Sequence, residues 1–260
     1  MFRSGVVGSP VNHSLSPRLH MAAMAFLAVD GESLFVDDDG ADLSRLRSTV
    51  QKFDALSVTF PLKERMFNLC DEVDDQSQRV GAVNSVRYVD GQILGRNVDG
   101  EGFCRAVTHE LDVDIRDANV TIIGAGGAAR SIIASLLQRG VGRIDVVLRE
   151  DRGQLSSFVD DDRVRGVAVS DSEADLVVNA TPVSLTGNSE SLPPVASGSH
   201  TAFVDLSYEP AETVWMTEQR EMSSRVANGK MMLVWQAKLQ LDWWFDADIP
   251  IALLREAVSL

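Results

Sequence analysis

The chain has 260 residues, 45% of them hydrophobic, and a net charge of −14 from 24 basic and 38 acidic side chains. That length holds one large domain or two modest ones with ample core, and the apolar content is that of a globular protein. The acidic balance argues against nucleic acid and anionic membranes as partners, because both would be repelled.

No apolar run reaches the roughly 18 residues of a membrane span, and the opening MFRSGVVGSPVNHS lacks a signal peptide's apolar stretch. Cys70 and Cys104 have no paired or metal spacing, and the four histidines form no ligand pair. These features predict a cytoplasmic protein without a metal. The sequence allows a homodimer.

In chain order, Phe2 to Val7 reads as a short buried strand ended by Gly8-Ser9-Pro10. Leu19, Ala22, Ala23 and Phe26 recur at helical spacing, which predicts a helix over 18–28 with Ser16 as N-cap and Pro17 at its first position. The hydroxyls of Ser14 and Ser16 at that helix end would also cradle a small carboxylate. Leu34 to Val36 predicts a second strand and Asp42 to Gln51 a second helix. ALSVTFPLKE, from Ala55 to Glu64, reads as strand, proline turn and helix start. Lys63, one of only four lysines, falls in that first helical turn. The bland reading is a lysine paired with a nearby acid. The functional one is a cation opposed by the helix end and partly buried, and so suited to proton transfer.

Ser85 to Val89 and Gln92 to Gly95 flank Asp90-Gly91 as a hairpin, and a helix is predicted over Phe103 to Leu111. Asn84 and Asp99 then stand at the ends of extended segments, as turn residues or as side chains facing a cleft. Next comes Val120 followed by TIIGAGGAARSIIA, a buried strand running into a glycine turn and a helix to about Arg139. This is the G-x-G-x-x-G/A pattern of a dinucleotide-binding βα unit. Gly124 permits the turn, Gly126 lets the backbone approach a pyrophosphate, and Ala129 lets helix and strand pack closely. Strands are further predicted at Ile144 to Leu148, Arg165 to Val169 and Leu176 to Val178, a surface loop at Asn188 to Ser199, and a helix at Leu233 to Phe245. The aromatic residues of that last helix read as core or subunit interface.

GSPVNHSLSP, VTFPLKE, GAVNS, GRNVDGEGF and GAGGAAR, in this order and spacing, resemble the shikimate dehydrogenase family. The resemblance continues through NATP at 179–182, VDLSYEP at 204–210 and NG with MLVWQA at 228–237, and so covers nearly the whole chain. It implies an α/β fold with an N-terminal catalytic, substrate-binding domain at 1–98, a Rossmann-like dinucleotide-binding domain at 99–230, and C-terminal helices at 231–260 returning to the first. The implied substrate pair is 3-dehydroshikimate and shikimate, held in the interdomain cleft.

The implied roles follow position by position. Ser14 and Ser16 hold the substrate carboxylate, with Thr59 and Tyr208 nearby. Asn84, Asp99 and Gln236 hold ring hydroxyls. Lys63 and Asp99 form the catalytic pair, Lys63 supplying the proton in the reductive direction. Gly124, Ala125, Gly126, Gly127, Ala128, Arg149, Asn179, Thr181 and Gly229 contact the cofactor. NADP is the expected cofactor and NAD the alternative, since Arg149 suits a 2′-phosphate whereas Glu150 and Asp151 oppose one.

Three positions depart from the family pattern: Ser57 where asparagine is usual, Val98 where threonine is usual, and Met231 in place of a second glycine. A serine at 57 is expected to leave a substrate hydroxyl unheld or to make room for water. Two other readings stay open. One is an NAD-dependent quinate or quinate/shikimate dehydrogenase; the other is a non-catalytic nucleotide sensor, which would have no use for the Lys63–Asp99 pair.

Overall fold

β1 (Phe2–Gly8), mostly buried, starts a mixed sheet of short strands. The structure, a computed structural model, describes residues 1–148, 153, 155–183, 192–223 and 225–260. The described chain divides into two compact units, Met1–Gly102 with Leu233–Leu260, and Phe103–Met232.

In the first unit β1 pairs in parallel with β2 (Gly31–Asp37) and β3 (Ala55–Val58). The hairpin strands β5 (Ser85–Val89) and β6 (Gln92–Arg96) then add antiparallel, and the two-residue β4 (Glu72–Val73) closes the far edge. The sheet order is β2-β1-β3-β5-β6-β4. β2 is longer than its Leu34–Val36 apolar signal because it follows β1 residue for residue from Phe2↔Gly31 to Gly8↔Asp37.

Alternation along the strands assigns each residue a side. Leu56 and Val58 face a core with Val7, Val86 and Ile93, closed by Leu46 and Val50 of α2 (Leu43–Val50) and Met66 of α3 (Lys63–Leu69). Ala55 faces the opposite core, where α1 (Ser16–Phe26), α8 (Lys230–Phe245) and α9 (Ile251–Ala257) pack through Leu19, Val234, Leu241, Trp244 and Leu254. Ser57, two residues on from Ala55, therefore points at those helices. α4 (Asp75–Val80), capped by Asp74, has a sequence too short to show a helical period.

Two helix starts differ from expectation. α1 begins at Ser16 itself, with Leu15 at the cap and no side-chain cap; Ser14 Oγ instead accepts from the Ser16 N–H at 3.2 Å. α5 (Asp99–Leu111) begins four residues before the predicted Phe103, because Asn97 Oδ1 accepts from the Asp99 N–H and Val98 O from the Gly102 N–H.

In the second unit β7 (Asn119–Ile123), β8 (Arg143–Val147), β9 (Val164–Val167), β10 (Ser170–Asn179), β11 (Val195–Asp205) and β12 (Val226–Asn228) form an all-parallel sheet of order β12-β11-β10-β7-β8-β9. Counted from β7, this is the 3-2-1-4-5-6 order of dinucleotide-binding folds, with its topological switch between β7 and β10. α6 (Gly127–Gln138) follows β7, and α7 (Val214–Arg220) packs Trp215 and Met216 on Phe203 and Val177. The predicted loop at 188–199 is strand from Val195 onward, since β11 pairs with β10 from Ser170↔Val195; Asn188 to Ser191 lie outside the described residues. Among the described residues, no helix is long and apolar enough to cross a membrane and no cluster of His, Cys, Asp and Glu could hold a metal ion.

Candidate active site

In the first unit, ends of elements bring four polar side chains together. Lys63 is the first residue of α3, Asp99 the first of α5, Asn84 immediately precedes β5, and Gln236 lies on α8. Lys63 Nζ donates to Asp99 Oδ2 at 2.6 Å, and Asn84 Nδ2 donates to Asp99 Oδ1 at 2.7 Å and to Gln236 Oε1 at 3.3 Å. The Lys63 side chain is 21% exposed and that of Asp99 6%, so Lys63 is the more accessible partner of the pair.

Ser16 is buried and Ser14 half-buried beside it at the start of α1. Thr59 is half-buried just after β3, its N–H donating to Val7 O at 2.9 Å. Tyr208, half-buried after β11, belongs to the second unit.

Backbone groups pin these amides. Asn84 Oδ1 accepts from the Val98 N–H at 2.9 Å, and Gln236 Nε2 donates to Leu233 O at 2.9 Å. Asn97 braces the start of α5 from below, donating through Nδ2 to Ala82 O at 2.9 Å.

Behind this group lies a second set, of which the sequence reasoning singled out only Ser57. Gln240 Nε2 donates to Gln236 Oε1 at 2.8 Å and to Asn84 O at 3.0 Å, and Ser57 Oγ donates to Gln240 Oε1 at 2.6 Å. His20 joins the line through Nε2, 3.0 Å from Ser57 Oγ, and through Nδ1, 2.8 Å from Ser33 Oγ. The His20 and Trp244 rings meet edge to face with centroids 4.7 Å apart, and complete burial pushes the imidazole pKa down to about 3. The available signal was spacing: Gln240 is one helical turn from Gln236, and His20 one turn from Ser16.

The second unit presents a site built from backbone. Gly124, at the end of β7, has φ +98°, and a Cβ there would stand 2.8 Å from Thr181 Cγ2. The glycine turn after β7 and the Asn179–Pro182 turn after β10 thus meet at the switch point. Gly126 is exposed and caps α6 with φ −69°, and no described atom lies within 4 Å of where its Cβ would be. No side chain caps that helix start, whose aligned dipoles favour an anion.

Ala129 is fully buried against the strand, whereas Gly127 and Ala128 are half-buried and Ala125 is 8% exposed. Asn179 is fully buried; its Oδ1 accepts from Thr181 N and Oγ1, and its Nδ2 donates to Asp205 at 3.2 Å. Its side chain therefore shapes the turn that carries Thr181. Gly229 is held against Leu206 O too closely for any side chain. Arg149, with Glu150, Asp151 and Arg152, lies outside the described residues.

Residues 6–86 match the family model of the shikimate dehydrogenase substrate binding domain. The shikimate dehydrogenase (NADP(+)) of Methanopyrus kandleri is 35% identical, covering 98% of this chain and 93% of its own length. The chain belongs to the shikimate dehydrogenase family. That of a Geobacillus species is 34% identical over 91% of this chain and 90% of its own. The Thermus thermophilus shikimate 5-dehydrogenase, solved in complex with NADP(H) and shikimate, superposes with a TM-score of 0.86 at 31% identity, covering 100% of this chain and 99% of that one.

Against the shikimate dehydrogenase pattern, the departure at Ser57 acquires a partner. Ser57 is 5% exposed, and its hydroxyl is engaged by Gln240 and His20. Val98 acts through its backbone N–H, for which its side chain is immaterial. Met231 is buried with Phe103, Val107 and Val204 around a small apolar pocket.

Proposed function

We propose that this chain reversibly reduces 3-dehydroshikimate to shikimate, with residues 1–98 and 231–260 binding the substrate and 99–230 binding the dinucleotide. The observation that carries this reading is the Lys63–Asp99 pair at 2.6 Å, with Asn84 and Gln236 hydrogen-bonded around it. Both partners are acid–base groups, and the more exposed of the two is the lysine.

The second unit fits a dinucleotide. The glycine turn lies at the switch point, α6 has no side-chain cap, and the space where a Gly126 Cβ would stand is open. Gly124, Ala125, Gly126, Gly127, Ala128, Thr181 and Gly229 would hold it, and Arg149 would meet a 2′-phosphate. We assign NADP because the Methanopyrus and Geobacillus relatives are shikimate dehydrogenases (NADP(+)); bound there, it would supply the hydride.

The chain's own residues do the rest. Lys63 delivers a proton to the ketone oxygen in reduction and takes it back in oxidation. Asp99 aims the ammonium and holds it between turnovers. Ser14 and Ser16 grip the carboxylate at the start of α1, and Gln236 and Asn84 orient the ring.

Initial rates of shikimate and quinate oxidation, each with NADP and with NAD, test this reading on wild type and Lys63→Ala. Shikimate turnover with NADP, lost in the variant while NADP still binds, is the expected result. No turnover in any combination despite tight nucleotide binding would sink it in favour of a nucleotide sensor.

A further inference from the structure

The hydrogen bonds behind the site have a direction, and backbone carbonyls set it. Asn84 O can only accept, so the group of Gln240 facing it at 3.0 Å is the amide nitrogen. Gln240 Oε1 then faces Ser57, which must donate to it across 2.6 Å. The serine has one proton, so the His20 nitrogen 3.0 Å behind it must carry its own. His20 is neutral in its fully buried setting, so its other nitrogen is bare and accepts from Ser33 Oγ at 2.8 Å.

The line runs one way, from Ser33 through His20, Ser57 and Gln240 to Gln236. At its end, Gln236 Oε1 accepts from both Gln240 and Asn84, while Leu233 O takes one Nε2 hydrogen. The second Nε2 hydrogen is the group this amide has left for a ligand. Asn84 is restricted in the opposite sense: both its Nδ2 hydrogens are engaged by Asp99 and Gln236, leaving a lone pair on Oδ1.

We infer that His20, Ser57 and Gln240 are positioning residues that, together with the Leu233 carbonyl, lock Gln236 as a hydrogen-bond donor, so that the substrate must present an oxygen acceptor to it. An ammonium in that place, having only donors, would meet no acceptor on Gln236. The inference rests on the proposed reading for the identity of the substrate. The lock itself is a property of the free protein. It also accounts for Ser57: a serine tied to Gln240 does through Gln236 what it does not do by touching a ligand.

The test has a spectroscopic arm and a kinetic arm. In the free protein at neutral pH, ring ¹⁵N chemical shifts are expected to show His20 as the Nε2–H tautomer. Ser57→Ala removes the acceptor, and the proton should move to Nδ1, facing Ser33. Ser57→Thr keeps the hydroxyl and should restore Nε2–H, which separates loss of the bond from damage to the fold. In turnover, Gln240→Leu removes one of the three hydrogen bonds that hold the Gln236 amide, and KM for shikimate should rise by up to about tenfold, the scale of one lost hydrogen bond, while kcat and the cofactor KM change less than threefold.

An Nδ1–H tautomer in the wild type would overturn the lock. An unchanged shikimate KM in Gln240→Leu would overturn its role in positioning. Absence of shikimate turnover by the wild type would instead count against the proposed function, and the tautomer arm would still decide the lock.

Discussion

The two units of this chain make their sites from different materials. In Met1–Gly102 with Leu233–Leu260 the site is a web of side chains, Lys63, Asp99, Asn84, Gln236 and Gln240, each oriented by another or by a backbone group. In Phe103–Met232 it is backbone: a glycine at φ +98°, an open cap at Gly126, and an asparagine whose side chain holds a turn. A side-chain site is tuned by substitution at a distance, since Ser57 and His20 act through others. A backbone site tolerates change wherever a Cβ meets nothing and fails wherever it meets a neighbour.

The sharpest break of that comparison is Lys63→Ala. If the pair transfers the proton, kcat should fall by roughly 10²–10⁴-fold while nucleotide affinity stays, as initial rates and a binding titration would show. Next in size is Gly124→Ala. A side chain at φ +98° that also meets Thr181 should cost about 1–3 kcal/mol, read as a lowered urea midpoint at constant slope.

His20 comes third, through pH. Burial lowers it from 6.5 to about 3, so between those values the unfolded chain binds the proton first. Its neutral burial is therefore fully tolerated above pH 6.5, and stability is lost as pH falls, by up to about 1.4 kcal/mol per unit. Urea melts of wild type and His20→Gln between pH 7 and 5 should diverge in slope by that amount; parallel curves would contradict it.

The smallest stability effect is expected at Gly126→Ala. With φ −69° and nothing near the new methyl, stability should stay within about 0.5 kcal/mol. The same variant should weaken NADP binding by isothermal titration, because the methyl occupies the space left for phosphate. Loss of stability without loss of binding would mean that the open cap serves packing.

Much of this was legible in the sequence because the relevant physics is local. A strand entering G-x-G-x-x-A and leaving as a helix specifies a βα turn within about twenty residues, and the β7–α6 unit follows it closely. Ser-x-Ser-Pro marked a helix start. The motif order alone carried the family.

Pairing at long range was not legible. Ser57 and Gln240 are 183 residues apart, and Asn84 and Gln236 are 152 apart. No local preference states that a serine on β3 will donate to an amide on α8. The start of α5 at Asp99 likewise depended on Asn97 being anchored to Ala82 from another element. Sequence thus determined most of the elements and the glycine turn, since those depend on residue type and near spacing. Tertiary structure alone decided which way each amide faces and which partners Ser57 engages. A hydrogen bond has a direction only once its fixed partner, usually a backbone carbonyl from elsewhere in the chain, is in place.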